Sequence, residues 1–346
     1  MRGIDLLLAR CPLKHEIRCA LWEKYARKVV GARPLRNYLT LYSPPMIDVK
    51  HFARQRLIQV HDGTYRGVTA VTWDDEAYAD AVSGVPVRPE LLLRGNINDL
   101  LDKRRGEEPA AGQLRAQFPF EAINLDYCNS LYDFRHPNVL SGNLKAIEEI
   151  ACRQERAGMG RFALFITTRA EDGSFAQPFL DDLASRLDEN IRNNREFGRK
   201  FSRHYGKIGG THLLRANYRD FVMLGLLKLV ANTLATRRFE TTECDAALLI
   251  RDRTPKEGPQ WLLHMAFLAT ARDMPRAGSL RSLGRGVRRG CYFERNVARF
   301  VGSTVLSISE TASLKPLGER HQVYLDELNS ETADLSVPEP EPGPGP

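Results

Sequence analysis

The sequence has no CxxC pair and no long apolar run. Its six cysteines are scattered singly along the chain, a pattern typical of free thiols in a reducing compartment rather than of a disulfide framework. The most apolar window, residues 221–231, contains Lys228 and is too short to span a bilayer. Near the start, only a short apolar run precedes Arg10, so we expect no secretory signal. These absences predict a cytoplasmic protein that does not enter a membrane.

The sequence also lacks the ligand spacing of a metal site. Cys11, His15 and Cys19 recur every four residues, but no fourth ligand lies nearby, whereas structural zinc sites use four ligands. Cys128 and His136 have the side chains of a thiol nucleophile and its base. However, a single cysteine after a buried strand is more often a small apolar residue. We therefore predict no metal site, and we favour a core position for Cys128.

The composition is that of an ordinary globular protein with an excess of positive charge. Of the 346 residues, 42% are hydrophobic and 27% are charged, so the chain is long enough to bury a large core. The net charge of +7 favours acidic partners, and nucleic acid is the first class to consider.

Apolar runs bounded by turn residues predict seven strands, of which the first five alternate with helices. The strands are expected at 38–42, 68–72, 90–93, 122–125, 161–170, 243–250 and 261–270. Such alternation requires a parallel sheet with helices on both faces. The turn-rich residues 254–259 join the last two strands into an antiparallel hairpin. We predict a doubly wound, mostly parallel, seven-stranded α/β sheet that ends in this hairpin.

The remaining segments define the expected domain organisation. Helices are predicted at 12–30, 46–57, 74–82, 96–101, 144–150, 177–204 and 212–237, a surface connection at 104–117, and a possible extra strand at 303–309. We expect an N-terminal helical extension (1–36), a Rossmann-like domain (37–272), a basic extension (273–337) and a disordered tail (338–346). The tail is PEPEPGPGP, which cannot pack a core.

We expect Asp126, above all other residues, to face a functional site. It ends the predicted strand 122–125, and the chain then enters a polar loop. In a doubly wound sheet, ligands bind outside the carboxyl ends of the strands.

Five βα units followed by a hairpin resemble the class I S-adenosylmethionine-dependent methyltransferase fold. FEAINLDYCN resembles the fourth strand of that fold, and Asp126 matches the acidic position of its Asp-Pro-Pro-Tyr pattern, although Tyr127 and Cys128 replace the prolines. RFALFITTRA resembles the fifth strand, and GVTAVTWDDEAYADA resembles the second strand with its helix. The segments KHEIRCALWEKYARKV and YLTLYSPP are also similar to bacterial three-cysteine-motif partner proteins.

This resemblance implies S-adenosylmethionine as the cofactor and assigns roles to four residues. Ser43 would line the cofactor pocket, Asp74 would bind the ribose, and Asn96 would reach the adenine edge. Asp126 would accept hydrogen bonds from an attacking amine. The chain departs from the family pattern after the first strand, where residues 41–46 contain no glycine.

Two functions therefore stay open. The first is a methyltransferase that acts on nucleic acid. The second is a methyltransferase-like module without catalysis, which binds nucleic acid or a protein partner as a subunit of a larger assembly.

The predicted helix 177–204 becomes strongly basic towards its end. The candidate nucleic-acid contacts are Arg192, Arg195, Arg199, Lys200 and Arg203, and Phe197, Phe201 and Tyr205 are interleaved with them. Basic side chains neutralise phosphates, and exposed aromatic rings stack on bases. The pattern favours the alternative that the rings face the core while the charges face water. A second basic segment, residues 276–289, is predicted to be a loop.

Overall fold

The computed structural model describes most of the chain between residues 17 and 272. The described residues are 17–42, 46–83, 88–102, 108–127, 131, 142–170, 173, 175–193, 195–251, 260–272 and 306–309. The predicted turn 254–259, the loop 276–289 and the tail 338–346 lie outside them.

The described strands form one nine-stranded sheet. They are β1 Tyr38–Leu41, β2 Val60–His61, β3 Thr64–Thr72, β4 Arg88–Arg94, β5 Ala122–Asp126, β6 Arg161–Arg169, β7 Phe239–Arg251, β8 Gln260–Ala271 and β9 Leu306–Ser309. All seven predicted strands are present. The expected total of seven is wrong because the short strand β2 pairs with β3 and because β9 pairs with β7. The strand β9 lies within the stretch 303–309, where an extra strand was expected.

The described helices lie between and beside these strands. Helix α1 consists of a π-helical turn, Arg18–Glu23, and an α-helical part, Lys24–Val30. The others are α2 Ile47–Arg54, α3 Asp75–Ser83, α4 Ile97–Leu101, α5 Pro109–Ala116, α6 Gly142–Arg156, α7 Gln177–Asn193, α8 Arg195–Tyr205, α9 Gly210–Ala216 and α10 Tyr218–Ala235.

The parallel strands have a Rossmann-type order. From one edge the sheet runs β4, β3, β1, β5, β6, β8, β7 and β9. Numbering β1, β3, β4, β5, β6 and β7 from 1 to 6 in chain order gives 3-2-1-4-5-6, the order of doubly wound dinucleotide-binding folds. The short strand β9 adds a further parallel strand outside β7. The antiparallel strand β8 is inserted between β6 and β7. The mostly parallel sheet with its terminal antiparallel hairpin is thus confirmed.

Helices cover both faces of the sheet, which explains why its central strands are apolar on both sides. On one face, α4 to α10 pack on residues such as Ile123, Leu125 and Leu164. On the other face, α1 and α2 pack on residues such as Val68 and Phe165. Two apolar layers therefore enclose the sheet.

Helix α1 packs directly on the second face. The indole of Trp22 is completely buried and stacks on Phe165 of β6, with ring centroids 5.5 Å apart. The Tyr25 hydroxyl donates a 3.0 Å hydrogen bond to Asp245 of β7, and Lys28 pairs with Glu243. Gly31 ends the helix with φ of +65°, as expected for the residue after a helix.

Three helix predictions need correction. The predicted helix 177–204 is two helices, α7 and α8, and 212–237 is also two, α9 and α10. Asn217 separates the latter pair because its side chain caps α10 by accepting a hydrogen bond from the Asp220 N–H. The predicted surface connection 104–117 contains α5, whose buried Leu114 anchors it to the core.

Candidate functional site

The strand order reverses between β1 and β5, and this places the candidate site. Strand β3 lies on one side of β1, and β5 lies on the other. The helices that follow β1 and β5 pack on opposite faces of the sheet. A crevice therefore opens at the carboxyl ends of these two strands, which is where ligands bind in such sheets.

Asp126 lies at this edge, as the last residue of β5. It is half-buried, and its register partner on β6 is Thr167. Because side chains alternate along a strand, Asp126 shares a face with Asn124, on the side that α1 and α2 cover. The predicted position of Asp126 at the carboxyl edge is thus found in the structure, whereas its catalytic role stays a prediction.

Asp74 lies at the end of β3, and its carboxylate also caps the helix that follows. The side chain is exposed, and its Oδ1 accepts a 2.9 Å hydrogen bond from the Glu76 N–H. The neighbouring Asp75 receives two hydrogen bonds of 2.7 Å from the guanidinium of Arg94, at the end of β4. These contacts fix the ends of β3 and β4 relative to each other.

Trp73, between β3 and Asp74, is a candidate site residue that was not predicted from the sequence. Its side chain is 74% exposed, although tryptophan side chains are usually well covered. An indole at a ligand-binding edge offers a flat apolar surface to a planar ligand. The local signal was a tryptophan followed by three acidic residues.

Asn96 caps the helix α4 at the end of β4. Its Oδ1 accepts a 2.9 Å hydrogen bond from the Asn98 N–H, so the amide oxygen is engaged and the orientation of the side chain is fixed. Gly95 before it has φ of +147°, a conformation open mainly to glycine. Asp74, Asn96 and Asp126 therefore lie at the same edge of the sheet, at the ends of three strands.

A buried polar cluster lies beneath this edge. One carboxylate oxygen of Asp48, on α2, accepts hydrogen bonds from the Tyr38 hydroxyl (2.7 Å), the Thr40 hydroxyl (2.8 Å) and the Asn124 amide (3.0 Å). All four side chains are buried. The cluster joins α2 to β1 and β5, the two strands between which the order reverses.

Tyr65 of β3 lies close to this cluster. Burial first, and then the charge of Asp48, raises the pKa of Tyr65 to about 12. Its hydroxyl makes no hydrogen bond within the described part of the chain. The cluster was not predicted from the sequence, in which its signal is an asparagine inside the otherwise apolar strand AINLD.

A buried histidine extends the polar row across the sheet. His264 of β8 is fully buried, and its Nδ1 lies 2.9 Å from Oγ1 of Thr167. Because Thr167 is the register partner of both Asp126 and His264, the three residues lie on adjacent strands and on one face of the sheet.

The basic helix α8 turns its aromatic rings to the core. Phe197 and Phe201 are fully buried, whereas Arg195, Arg199 and Arg203 are exposed. This confirms the favoured alternative, since neither phenylalanine is available to stack on a base. Arg192 is also exposed, on α7. The side chain of Lys200 lies outside the described part of the structure.

The end of α8 reaches the carboxyl edge of the sheet. The Tyr205 hydroxyl donates a 3.1 Å hydrogen bond to Asp220, and the ring of Tyr218 lies 6.3 Å from that of Trp261. The Ala170 N–H, just past the end of β6, donates a hydrogen bond to the Trp261 carbonyl. Trp261 therefore lies at the carboxyl edge. Strand β8 is two strands from β5, which is roughly 10 Å in the hydrogen-bonding direction.

Several candidate residues lie outside the described part of the structure. They are Ser43, Cys11, His15, Cys128 and His136. Within the described part, no group of three or more His, Cys, Asp or Glu residues is placed to hold a metal ion. No described helix has the length and apolar character needed to cross a membrane.

Comparison with known proteins assigns the chain to a family. Residues 11–220 match the PP_RS20740-like family over more than half of the sequence. The chain belongs to the PP_RS20740-like family. No curated protein matches this PP_RS20740-like sequence.

Solved structures resemble this PP_RS20740-like chain only remotely. A methyltransferase dependent on S-adenosylmethionine, from Anabaena variabilis, is 12% identical; the match covers 72% of this chain and 93% of the other, with a TM-score of 0.31. A structure from work on the conversion of a disulfide bond into a thioacetal group during echinomycin biosynthesis is also 12% identical; that match covers 75% and 85%, with a TM-score of 0.30. Because these TM-scores are low, the methyltransferase-like fold is supported by the strand order and not by the superposition on these structures.

The region that matches the PP_RS20740-like family contains the candidate site. It includes β1 to β6, the Asp48 cluster and the basic helix α8, whereas the hairpin β7–β8 lies beyond it.

Proposed function

We propose that this PP_RS20740-like protein binds S-adenosylmethionine at the carboxyl edge of its sheet and transfers the methyl group to a nucleic acid. The observation that carries the proposal is the strand order 3-2-1-4-5-6 with β8 inserted before the sixth parallel strand. Polar side chains lie at the ends of three strands, at the edge where ligands bind in such a sheet: Asp74, Asn96 and Asp126.

The chemistry of the edge fits a nucleoside-containing cofactor. The Asp74 carboxylate supplies acceptors for ribose hydroxyls, and Trp73 supplies a flat surface for a base. Asn96, held by its capping bond, offers its amide N–H groups to the edge of the base. Ser43 is assigned to the pocket wall by resemblance alone.

The turn after β1 is made without glycine. Met46, immediately before α2, has φ of +56° and ψ of +48°, a left-handed conformation that a non-glycine residue adopts only at some cost. Strained backbone of this kind is concentrated at ligand sites. We infer that Met46 makes the sharp turn for which related folds use glycine.

Asp126 is assigned the central role in the transfer. The bound cofactor supplies a methyl group on a positively charged sulfur. Asp126 would accept a hydrogen bond from the attacking amine and hold it in line with the methyl group. The neutral S-adenosylhomocysteine would leave and the amine proton would pass to solvent, so that positioning would supply much of the rate enhancement. The Asp48 cluster keeps the ends of β1 and β5, and therefore the two sides of the crevice, in a fixed relation.

The nucleic-acid part of the proposal rests on helix α8. Arg195, Arg199 and Arg203 are exposed, and the helix ends at the carboxyl edge near Trp261. Arginines placed there neutralise phosphates of a strand whose base enters the crevice.

The second candidate function is a methyltransferase-like module without catalysis. Two observations favour it: residues 41–46 contain no glycine, and the Asn96 amide oxygen is already used to cap α4. In this case the chain binds nucleic acid or a protein partner through the same surfaces and transfers nothing.

Calorimetry and thermal unfolding with S-adenosylmethionine and S-adenosylhomocysteine test the cofactor. A ligand at a hundred times its dissociation constant should stabilise the fold by about 2.7 kcal/mol. Binding together with transfer of labelled methyl groups to DNA or RNA supports the enzyme. Asp126→Asn should then retain cofactor binding and lose transfer. If neither ligand binds at millimolar concentration, the enzyme is excluded and the module without catalysis stands.

A further inference from the structure

Helix α8 carries a stripe of exposed arginines. Arg195, Arg199 and Arg203 recur every four residues and are all exposed, so they lie in one row with a rise of about 6 Å between neighbours. None of them has an ion pair or a hydrogen bond to the rest of the chain that the structure describes. We call these three residues the arginine stripe.

The arginine stripe differs from the arginines of the fold that form ion pairs. Many of the described arginines have a carboxylate partner: Arg27 with Glu23, Arg33 with Glu121, Arg94 with Asp75, Arg153 with Glu149, Arg186 with Asp182, Arg237 with Glu148 and Arg238 with Glu155. Like charges four residues apart on a helix repel each other. An anionic partner of matching length would remove this repulsion.

The end of the given sequence carries the opposite charge. Residues 321–346 include six carboxylates and no lysine or arginine, although the whole chain has a net charge of +7. The carboxylates belong to Asp326, Glu327, Glu331, Asp334, Glu339 and Glu341. We call residues 321–341 the acidic segment.

Strand β9 ends at the carboxyl edge of the sheet. Strand β9 pairs in parallel with β7, and its last residue, Ser309, lies opposite Ile250 near the end of β7. This is the carboxyl edge, where α8 also ends. The residues from 310 to 325 can span at most roughly 50 Å, which is about the diameter of a domain of this size. The acidic segment is therefore within reach of α8.

We propose that the acidic segment binds the arginine stripe of the same chain and competes there with polyanions. The proposal goes beyond methyl transfer, and only its competition part rests on the proposed nucleic-acid binding. The segment acts as an internal mimic of a phosphate backbone. A nucleic acid that binds the arginine stripe must displace the segment first.

Zero-length crosslinking tests the contact without any nucleic acid. A water-soluble carbodiimide joins lysine amines to nearby carboxylates, and the exposed Lys207 lies just beyond α8. In the full chain we expect a crosslinked peptide that joins Lys207 to the acidic segment within a monomer. The triple variant Arg195→Gln, Arg199→Gln, Arg203→Gln keeps both crosslinking groups and should lose this peptide. An unchanged yield in the variant, or crosslinks between copies alone, overturns the proposal.

Binding of an oligonucleotide tests the competition. A full chain with all six carboxylates of the acidic segment replaced by their amides should bind a fluorescent single-stranded DNA about tenfold more tightly at low salt, since a competing polyanion has been removed. Equal affinities of the two proteins overturn the competition. If neither protein binds DNA, the nucleic-acid part of the proposed function fails, and the crosslink alone decides whether the segment occupies the stripe. Unchanged thermal unfolding of the amide variant controls for loss of fold.

Discussion

The hydroxyl of Tyr38 donates a 2.7 Å hydrogen bond to Oδ2 of Asp48, and this bond joins the central strand of the sheet to the helix that follows it. Thr40 and Asn124 donate to the same oxygen, so one carboxylate fixes β1, β5 and α2. The cluster lies directly below the crevice. The cluster therefore links β5, which ends in Asp126, to α2, which follows Met46.

We expect Asp48→Ala to reduce the free energy of unfolding by about 3 kcal/mol, because three buried donors lose their acceptor. Tyr38→Phe removes one bond and one buried hydroxyl together, so it should cost only about 1 kcal/mol. Urea unfolding followed by circular dichroism measures both. Glu76→Gln, on an exposed side chain, is the control and should change little. A loss for Asp48→Ala no larger than that for Tyr38→Phe would contradict the role of the cluster.

Gly67 and Gly158 form a matched pair, since both have φ near +70°. A Cβ at Gly67 would collide with the carbonyl oxygen of Arg36, whereas a Cβ at Gly158 would meet no atom within 4 Å. Gly158→Ala should therefore reduce the free energy of unfolding by only about 1 kcal/mol, the cost of holding an alanine in the left-handed conformation. Gly67→Ala should cost at least about 3 kcal/mol, because the backbone itself must move. Chemical unfolding of the two variants measures the difference. Equal decreases in the free energy of unfolding would contradict the collision with the Arg36 carbonyl.

The pair of Glu121 and Arg33 predicts a pH dependence. The Arg33 guanidinium donates to both carboxylate oxygens of Glu121, at 2.6 and 3.0 Å, and the Arg36 N–H donates as well. Burial alone would raise the pKa of Glu121, but these bonds outweigh it and hold the pKa below its ordinary value. A carboxyl whose pKa is lowered by folding stabilises the fold above its unfolded pKa, about 4.3. That contribution is lost as the pH falls through the lower folded pKa.

We therefore expect the wild-type protein to lose about 1–3 kcal/mol from this pair on acidification. Glu121→Gln should be less stable near neutral pH and should show a shallower decrease below pH 4.3. Unfolding by urea at a series of pH values measures both slopes. Glu76→Gln, on an exposed carboxylate, is the control. Parallel curves for Glu121→Gln and the wild type would contradict the assignment.

The fold was predictable because strand signals are local. The Asp48 cluster was not predictable. An apolar run such as Phe162–Ile166 is visible within a few residues of sequence, and all seven such runs are strands. Breaks in helices were missed where a single residue decides them: the cap at Asn217 replaces one long apolar helix by two. The Asp48 cluster joins residues up to 84 positions apart, and no local pattern shows that they converge.

The candidate site was predictable in its position and only partly in its residues. Asp126 and Asp74 follow recognisable strands, so their place at the carboxyl edge could be inferred from order alone. The exposure of Trp73 depends on which neighbouring side chains fail to cover it, and that is a property of the assembled fold.

Trp73 provides the sharpest test of the cofactor site. Of the three tryptophans, Trp22 is fully buried, Trp261 is half-buried and Trp73 is 74% exposed. Titration with S-adenosylhomocysteine should change the emission of the wild type, because a base that stacks on the exposed indole alters its surroundings. Trp261→Phe should keep this change and Trp73→Phe should lose it. Trp73→Ala should weaken binding in calorimetry by about 1–2 kcal/mol, the usual contribution of an aromatic stack. An emission change that persists in Trp73→Phe, or undiminished affinity in Trp73→Ala, would place the base elsewhere on the sheet edge.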